Sequence, residues 1–452
     1  MTHYDVLVFG GGTGNNVAAA AADAGLETAL IEKDSLGGTC LNRGCNPSKI
    51  LIQAATAANH VRDAEKFFME SDLGEIDYEA IIDDMDDTLA PIAEGMEERY
   101  REKDHLTLYK EEGVFVDERT VEVGGEEVSA DKVVVAAGSR PLVPPIDGLD
   151  EVEYMTSSEA LYRRDQPDSL VILGGGYIAV ELGYFFESLG TDVTIVEMMD
   201  TLVPREDPDV AEAFTEVAEQ RHEVYTGHRA TAVESDGDGV TVHAETEDGD
   251  EVAAHADDLL VALGRRPNTD VIDAEAAGIE TDDNGFIVTN DRLETSAENV
   301  WAQGDIADNA MFKHSGDYET GITVDNVVHG GDSETDFTAM PHAIFTEPQM
   351  AGVGKTEAEL EGQEYLVGKQ DLPGTPMGRA KKLDHGFVKV LAAPDGEILG
   401  CHILGYEAST MIHEAVVAMR SGSGHVSDIT DTIHAHPALN KAVAYAFGDV
   451  DL

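Results

Sequence analysis

The most regular feature of the chain is an order of apolar and polar positions that occurs twice. Residues 4–34 read YDVLVFGGGTGNNVAAAAADAGLETALIEKD, which is an apolar strand, a glycine-rich turn, an alanine-rich helix and a second strand ending in acid. Residues 169–200 read SLVILGGGYIAVELGYFFESLGTDVTIVEMMD and repeat that order. Short continuous apolar runs that alternate with helices are typical of buried parallel strands. We therefore predict an α/β protein with two Rossmann-like units.

Each glycine turn has the composition of a dinucleotide site. Such a turn, leading into a helix, presents backbone N–H groups and a positive dipole end to a pyrophosphate, and an acid about 20 residues later suits a ribose hydroxyl. Both copies depart from the usual third glycine, having Asn15 and Ala179 there. Two copies predict two cofactors. The candidate binding residues are Gly10, Gly12, Gly14 and Glu32 in the first copy, and Gly174, Gly176 and Glu197 in the second.

Later segments predict further ligand-facing loops and a different C-terminal region. The strands in KVVVAAGSRP and LLVALGRRPN each end near a glycine, Gly138 and Gly264, and VWAQGD ends at Asp305. From residue 340 onward the glycine turn does not recur. Strands such as GFVKVLAA and an amphipathic helix in ASTMIHEAVVAM predict an α+β packing or oligomerisation domain there.

Composition narrows the class of protein. The 452 residues are 42% hydrophobic, and 29 basic residues against 90 acidic ones give a net charge of −61. Acidic residues spread along the chain are typical of a halophilic surface, where salt screens their repulsion, and they would repel nucleic acid. No run approaches the ~20 apolar residues that cross a membrane, and the start lacks a signal-peptide pattern. We expect a cytoplasmic protein without nucleic-acid or membrane partners.

Two of the three cysteines, Cys40 and Cys45, lie in GGTCLNRGCNPSK. Three interpretations are open: a metal clip, a structural disulfide, or a disulfide made and broken by the chemistry. In a regular helix their α-carbons would lie about 7.5 Å apart, beyond disulfide reach, so an oxidised pair cannot span ordinary helix. Gly44 and Pro47 fit a distorted entry to a helix that begins near Pro47 and favours a thiolate.

Four motifs together resemble the flavoprotein disulfide reductase family over nearly the whole chain. GGTCLNRGCNPSK resembles its redox motif, AAGSRP a domain junction, WAQGD its second flavin signature and HAHPALN its C-terminal histidine motif. The resemblance implies FAD on the first site, bound by Asp305 among others, and NADPH or NADH on the second. It also implies a homodimer with shared active sites. The implied domains are 1–150 and 268–337 for FAD, 151–267 for NAD(P) and 338–452 for dimerisation.

The same resemblance implies roles for individual side chains. Cys40 and Cys45 would form the redox disulfide, with Cys45 facing the flavin and Cys40 exchanging with substrate. Zinc would need four ligands, and a cytoplasm would reduce a structural disulfide, which disfavours both alternatives; Cys401 is expected to be a buried strand thiol. The remaining implied residues are the Lys49–Glu181 pair beside the flavin, Tyr177 over the nicotinamide pocket, and His436 as acid–base, with Lys441 where the family has a glutamate.

Substrate and nucleotide remain open at this stage. A small-molecule thiol disulfide, with bis-γ-glutamylcystine the one implied for a halophile, is the first hypothesis, and dihydrolipoamide dehydrogenase activity is the alternative. Arg43 and Arg379 are candidate partners of a substrate carboxylate. Glu197 favours NADH because it repels a 2′-phosphate, whereas Arg205 could offset that repulsion and admit NADPH. No metal site is predicted.

Overall fold

The computed structural model describes residues 1–235, 237–307 and 309–452. The chain divides into two compact units. Unit 1 comprises Met1–Ile50, Ile82–Leu142 and Gly264–Asp336, and unit 2 comprises Leu51–Ile81, Val143–Leu263 and Phe337–Leu452.

The strands follow one another along both units. They are β1 (Thr2–Phe9), β2 (Thr28–Ile31), β3 (Leu106–Tyr109), β4 (Gly113–Asp117), β5 (Thr120–Val123), β6 (Glu126–Val135), β7 (Ser139–Pro141), β8 (Ser169–Leu173), β9 (Asp192–Val196), β10 (Glu223–Tyr225), β11 (Arg229–Ser235), β12 (Val240–Glu245), β13 (Glu251–Ala256), β14 (Asp258–Val261), β15 (Arg265–Pro267), β16 (Val300–Ala302), β17 (Pro341–Ile344), β18 (Gln349–Gly354), β19 (Leu366–Asp371), β20 (Phe387–Ala392) and β21 (Ile398–Gly405).

The helices connect these strands. They are α1 (Gly14–Asp23), α2 (Gly38–Asn42), α3 (Cys45–Asp63), α4 (Tyr78–Arg101), α5 (Ser157–Ala160), α6 (Tyr177–Leu189), α7 (Pro208–Ala218), α8 (Lys313–Thr323), α9 (Pro376–Lys381), α10 (Ala408–Met411), α11 (His413–Ser421), α12 (Ser427–Thr430) and α13 (Asn440–Gly448). Short 3₁₀ turns lie at Ala64–Phe67, Leu149–Glu151, Ala274–Ala277, Gly304–Ile306 and Ala358–Leu360, and α8 continues as a π-helical segment over Val324–His329.

Unit 1 is built on a mainly parallel sheet with the strand order β3-β2-β1-β6-β5-β4, and β16 pairs with β6. β1 runs parallel to both β2 and β6. α1 buries Val17, Ala18, Ala21 and Ala22 in the core formed with β1. The alanines recur one helical turn apart, so one face of α1 is small enough to lie close to the sheet.

Unit 2 contains the second parallel sheet, ordered β10-β9-β8-β14, with α6 following β8. A smaller antiparallel sheet, β11-β12-β13, and a larger one, β17-β18-β21-β20-β19, complete it. The larger sheet packs with α10 to α13 around a core that contains the buried thiol of Cys401. The predicted class, two Rossmann-like regions and an α+β C-terminal region, is confirmed.

Local detail departs from the sequence prediction in two places. The amphipathic segment ASTMIHEAVVAM forms two helices, α10 and α11, rather than one. The helix after the redox motif begins at Cys45, two residues earlier than predicted, and a short helix, α2, precedes it over Gly38–Asn42. Arg43 lies between α2 and α3 with non-helical φ −148° and ψ 25°, so Cys40 and Cys45 do not share a regular helix.

Candidate functional site

The first glycine turn joins β1 to α1 with little room for side chains. Gly10 has φ 92°, and a β-carbon there would overlap the carbonyl oxygen of Ala136. A β-carbon on Gly14 would lie 2.9 Å from side-chain atoms of both Ala136 and Val8. Gly14 therefore provides the close helix–strand packing that the third glycine of the pattern normally provides. This explains why Asn15 is tolerated at that third position.

The two acidic residues that follow the turns have equivalent hydrogen bonds. Glu32 accepts from the Gly11 amide at 2.7 Å and from the Asp34 amide at 2.7 Å. Glu197 accepts from the Gly175 amide at 2.5 Å and from the Met199 amide, also on the strand-end loop, at 2.7 Å. The internal repeat thus extends from the sequence pattern to individual atoms, and each carboxylate is fixed at the end of its strand.

The residues present fit dinucleotides at both turns. Within the described part of the chain neither α1 nor α6 has a side-chain N-cap, so the first amides of both helices remain available to a pyrophosphate. A β-carbon on Gly138, Gly176 or Gly264 would meet no atom within 4 Å, which leaves open space at these turns. Gly174, with φ 105°, repeats the role of Gly10, because a β-carbon there would lie 2.5 Å from the Ala262 carbonyl oxygen.

Asp305 is held in position in unit 1 by two neighbours. Its Oδ2 accepts a hydrogen bond of 2.6 Å from Ser139 Oγ and lies 3.8 Å from Arg265 Nε. Arg265 also donates to Ser139 Oγ at 2.7 Å. The carboxylate therefore has a defined orientation at the end of β16, which suits it to bind a ligand hydroxyl.

Cys40 and Cys45 are both thiols, and a hydrogen bond joins them. That hydrogen bond, burial and the negative charge of Cys45 together raise the pKa of Cys40 far above its ordinary value. Two thiols this close can form and break a disulfide by thiol–disulfide exchange.

The structure adds two residues near Cys40 that the sequence analysis missed. The positive charge of Lys313 lowers the pKa of Cys40, and Asp317, which binds Lys313, raises it. The backbone explains this proximity. Gly38, two residues before Cys40, approaches Gly12, and Gly316 on α8 approaches Thr13. The only sequence signal was a Lys–Asp spacing of four residues after WAQGD, which is a common helix-surface pair.

The other predicted residues of the redox centre are placed within their own units. Lys49, on α3, donates to Ser48 Oγ at 3.3 Å. Glu181, on α6 and 8% exposed, accepts from the Phe345 amide at 2.9 Å. Their pairing beside a flavin stays a prediction.

The C-terminal histidine motif has an unexpected partner. His434, rather than His436, pairs with a glutamate, because its Nε2 lies 3.0 Å from Glu414 Oε2. His436 is exposed, and the described part of this single chain offers it no hydrogen-bond partner. The ammonium of Lys441 lies 5.3 Å from the ring centre of Tyr445 and makes a cation–π contact with that ring.

The candidate substrate and nucleotide cations lie at the surface of their units. Arg43 forms an exposed ion pair with Asp34 at 2.9 Å. Arg379 is exposed on α9, and Arg205 is exposed after β9. An exposed pair contributes little to stability, so Arg43 can exchange Asp34 for another carboxylate at small cost.

Comparison with known proteins decides the family. A model described as pyridine nucleotide-disulphide oxidoreductase matches residues 4–323, and that of the family's dimerisation domain matches residues 340–447. The chain belongs to the pyridine nucleotide-disulphide oxidoreductase family. This family uses FAD and NAD(P)H, as predicted, and the dimerisation-domain match supports the predicted homodimer.

Relatives of this oxidoreductase carry more than one activity. It is 38% identical over 459 residues to a dihydrolipoyl dehydrogenase of Haloferax volcanii, covering 98% of this chain and 96% of that one. It is 32% identical over 449 residues to a mercuric reductase of Staphylococcus aureus, covering 98% and 82%. The HOCl-induced flavoprotein disulfide reductase RclA from Escherichia coli superimposes with a TM-score of 0.87 at 27% identity, covering 99% and 100%.

Two expectations from composition can be compared with these findings. The halophilic composition agrees with the haloarchaeal origin of similar dehydrogenases. Within the described residues, none of the oxidoreductase's helices combines the length and apolar character needed to span a bilayer.

Proposed function

We propose that this oxidoreductase reduces a small, anionic thiol disulfide, such as bis-γ-glutamylcystine, through Cys40 and Cys45. The observation that carries the proposal is the hydrogen-bonded cysteine pair with Lys313 acting on Cys40. Bound FAD would supply the electrons taken from NAD(P)H, and the residues that would hold it are those around Gly12, Glu32, Gly138 and Asp305.

The cysteine pair supports a defined division of labour. Cys40 loses its proton, attacks one sulfur of the substrate disulfide and releases one thiol. Cys45 then attacks Cys40, releases the second thiol and leaves a Cys40–Cys45 disulfide, which takes two electrons and two protons to return to the dithiol. Because Cys40 holds its proton strongly in the reduced pair, a base must accept it. We assign this task, and protonation of the leaving thiolate, to His436 of the partner subunit.

Charge supports an anionic substrate. The chain carries a net charge of −61, so a cation close to the reacting thiol acts within a strongly negative protein. Lys313 acts on Cys40 and Arg43 lies within the redox motif, and the two can attract substrate carboxylates. Arg379 is the weaker candidate, because the structure shows only that it is exposed on α9.

Dihydrolipoamide dehydrogenase activity is the second candidate. It is favoured by the similarity to dihydrolipoyl dehydrogenases from Haloferax volcanii and Haloarcula marismortui, at 38% and 37% identity. Lipoamide lacks the carboxylates of a γ-glutamyl peptide, so the two candidates differ in what Lys313 and Arg43 would bind.

We propose that the second glycine turn binds the electron donor, which is NADH or NADPH. Glu197, held by two backbone amides, suits the free 2′-hydroxyl of NADH. Arg205 is exposed eight positions later and suits a 2′-phosphate.

Steady-state assays of the holoenzyme at high KCl concentration test the proposal. Bis-γ-glutamylcystine and lipoamide are compared as substrates, each with NADH and with NADPH. We expect turnover of bis-γ-glutamylcystine to be lost in Cys40→Ser and Cys45→Ser and kept in Cys401→Ser, the matched control. Lys313→Gln should raise KM for bis-γ-glutamylcystine and leave KM for lipoamide unchanged. Efficient turnover of lipoamide alone would establish the second candidate instead.

A further inference from the structure

A row of basic side chains crosses the larger antiparallel sheet of unit 2. Cross-strand register aligns His342 of β17 with Gly352, then with His402, then with Lys389 and finally with Lys369 of β19. Residues in register on neighbouring strands point to the same face of a sheet, so this row forms one surface.

Acidic residues of the segment that enters α7 lie along this row. Glu206 pairs with His342 at 2.8 Å, Asp207 with Lys389 at 2.7 Å and Asp209 with Lys369 at 2.8 Å. Lys389 is 1% exposed, and it also binds Asp209 and Glu357. The carboxylates of Asp207, Asp209 and Glu357 lie close enough together to hold a metal ion, but the ammonium of Lys389 already binds all three. The row therefore fixes the loop after β9 to the sheet.

The end of the row at His342 depends on a glycine. A β-carbon on Gly352 would lie 2.6 Å from Cε1 of His342. The absence of that carbon lets the imidazole lie against Gly352 and reach Glu206 with Nε2. Glu206 is 4% exposed, and although burial raises its pKa, the hydrogen bond and charge of His342 outweigh burial and hold that pKa below its ordinary value.

Glu206 and His342 together hold the side chain of Tyr177. The Tyr177 hydroxyl donates to Glu206 Oε1 at 2.8 Å, and its ring lies parallel to the His342 ring, with centroids 6.2 Å apart and 7° between planes. Tyr177 is the first residue of α6 and directly follows Gly176 in the second glycine turn. Tyr177 therefore lies at the carboxyl end of β8, where ligands bind in open α/β sheets.

We propose that Glu206 and His342 are positioning residues that latch Tyr177 at the second dinucleotide site, so that nucleotide binding must break the hydroxyl–carboxylate bond. The inference rests on the proposed assignment of NAD(P)H to the second turn. The latch weakens nucleotide binding, because the free enzyme keeps the hydrogen bond from Tyr177 to the ionised, buried Glu206 and the nucleotide-bound enzyme loses it.

Equilibrium titration of oxidised holoenzyme with NAD⁺ and with NADP⁺, followed by flavin absorbance, tests this proposal without a disulfide substrate. Tyr177→Phe removes only the hydroxyl and should lower Kd for the preferred nucleotide by about tenfold, the effect of one hydrogen bond to a charged group. His342→Gln should also lower Kd, but by less than Tyr177→Phe does. Because both changes act on one latch, the double variant should bind no more tightly than Tyr177→Phe alone.

Two further variants separate the latch from a general effect. Tyr365→Phe removes another tyrosine hydroxyl that donates to a glutamate in unit 2, at 2.9 Å from Glu357, and should leave Kd unchanged. Glu206→Gln keeps an acceptor for Tyr177 but loses the charge, so its Kd should lie between those of native enzyme and Tyr177→Phe. A Kd for Tyr177→Phe within twofold of native, or above it, overturns the latch. Failure of native enzyme to bind either nucleotide overturns the proposed function as well.

Discussion

A buried carboxyl next to Asp305 makes the stability of unit 1 depend on pH. Glu319, on α8, is fully buried, and its two oxygens accept from the Gly304 amide at 2.5 Å and from Asn309 Nδ2 at 3.1 Å. Burial raises the pKa of Glu319 from its ordinary 4.5 to about 7, against the lowering effect of these two hydrogen bonds, and the charge of Asp305 adds to the rise.

The sign and size of the effect follow from linkage. Between pH 4.5 and 7 the unfolded chain has lost this proton and the native chain retains it. Stability is therefore fully present below pH 4.5 and falls as pH rises through the native pKa of about 7. At about 1.4 kcal/mol per pKa unit, the free energy of unfolding should fall by about 3 kcal/mol from this group alone. The Glu319→Gln side chain cannot ionise, so the free energy of unfolding of this variant should not show this fall with rising pH.

The single tryptophan provides a local assay. Trp301 lies in β16, three residues before Gly304, and is 7% exposed, so its fluorescence reports the unfolding of unit 1. Urea unfolding of holoenzyme at fixed KCl concentration is compared at pH 5 and pH 8 for native enzyme, Glu319→Gln and the exposed control Glu280→Gln. Because pH 5 already lies above the ordinary pKa of 4.5, native enzyme and control should lose about 2.5 kcal/mol more than Glu319→Gln between pH 5 and pH 8. Equal losses in all three proteins would refute the reasoning.

Three other predictions concern packing and thiol chemistry. Lys389→Met leaves the buried Asp207 carboxylate without its cation and should lower the free energy of unfolding, measured by urea titration, by about 3–5 kcal/mol. A loss below about 1 kcal/mol would mean that the buried charges contribute little to stability. Gly10→Ala should prevent the accumulation of folded protein in expression trials. Gly12→Ala, whose β-carbon would lie 3.7 Å from its nearest neighbour, should fold but bind less FAD, measured by absorbance. Equal FAD content in native and Gly12→Ala enzyme would contradict the assignment of FAD to that turn. The Cys401 thiol is fully buried with a pKa raised to about 12, so iodoacetamide should leave it unlabelled in native enzyme by peptide mass mapping, and rapid labelling would contradict its burial.

The sequence by itself determined the repeated strand–turn–helix–strand pattern, the fold class and the family. These features depend on interactions between residues close in the chain: strand periodicity, glycine turns and the acid at the end of the second strand. Glu32 and Glu197 directly follow β2 and β9, as the pattern predicted, and each binds the glycine turn of its own repeat, at Gly11 and Gly175. Their role at a cofactor ribose stays a prediction. The roles assigned to Cys40, Cys45 and His436 stay predictions.

Only the tertiary structure decided which distant side chains meet. Glu206 and His342 are separated by 136 residues, and Asp207 and Lys389 by 182, so no local pattern in either segment indicates its partner. The same holds for Lys313 beside Cys40 and for Gly14, whose role depends on Ala136 across the sheet. Charge and spacing show which residues are able to pair, but the folded backbone brings a particular pair within hydrogen-bonding distance and excludes water from it, which is why the latch and the buried cations were visible only in the structure.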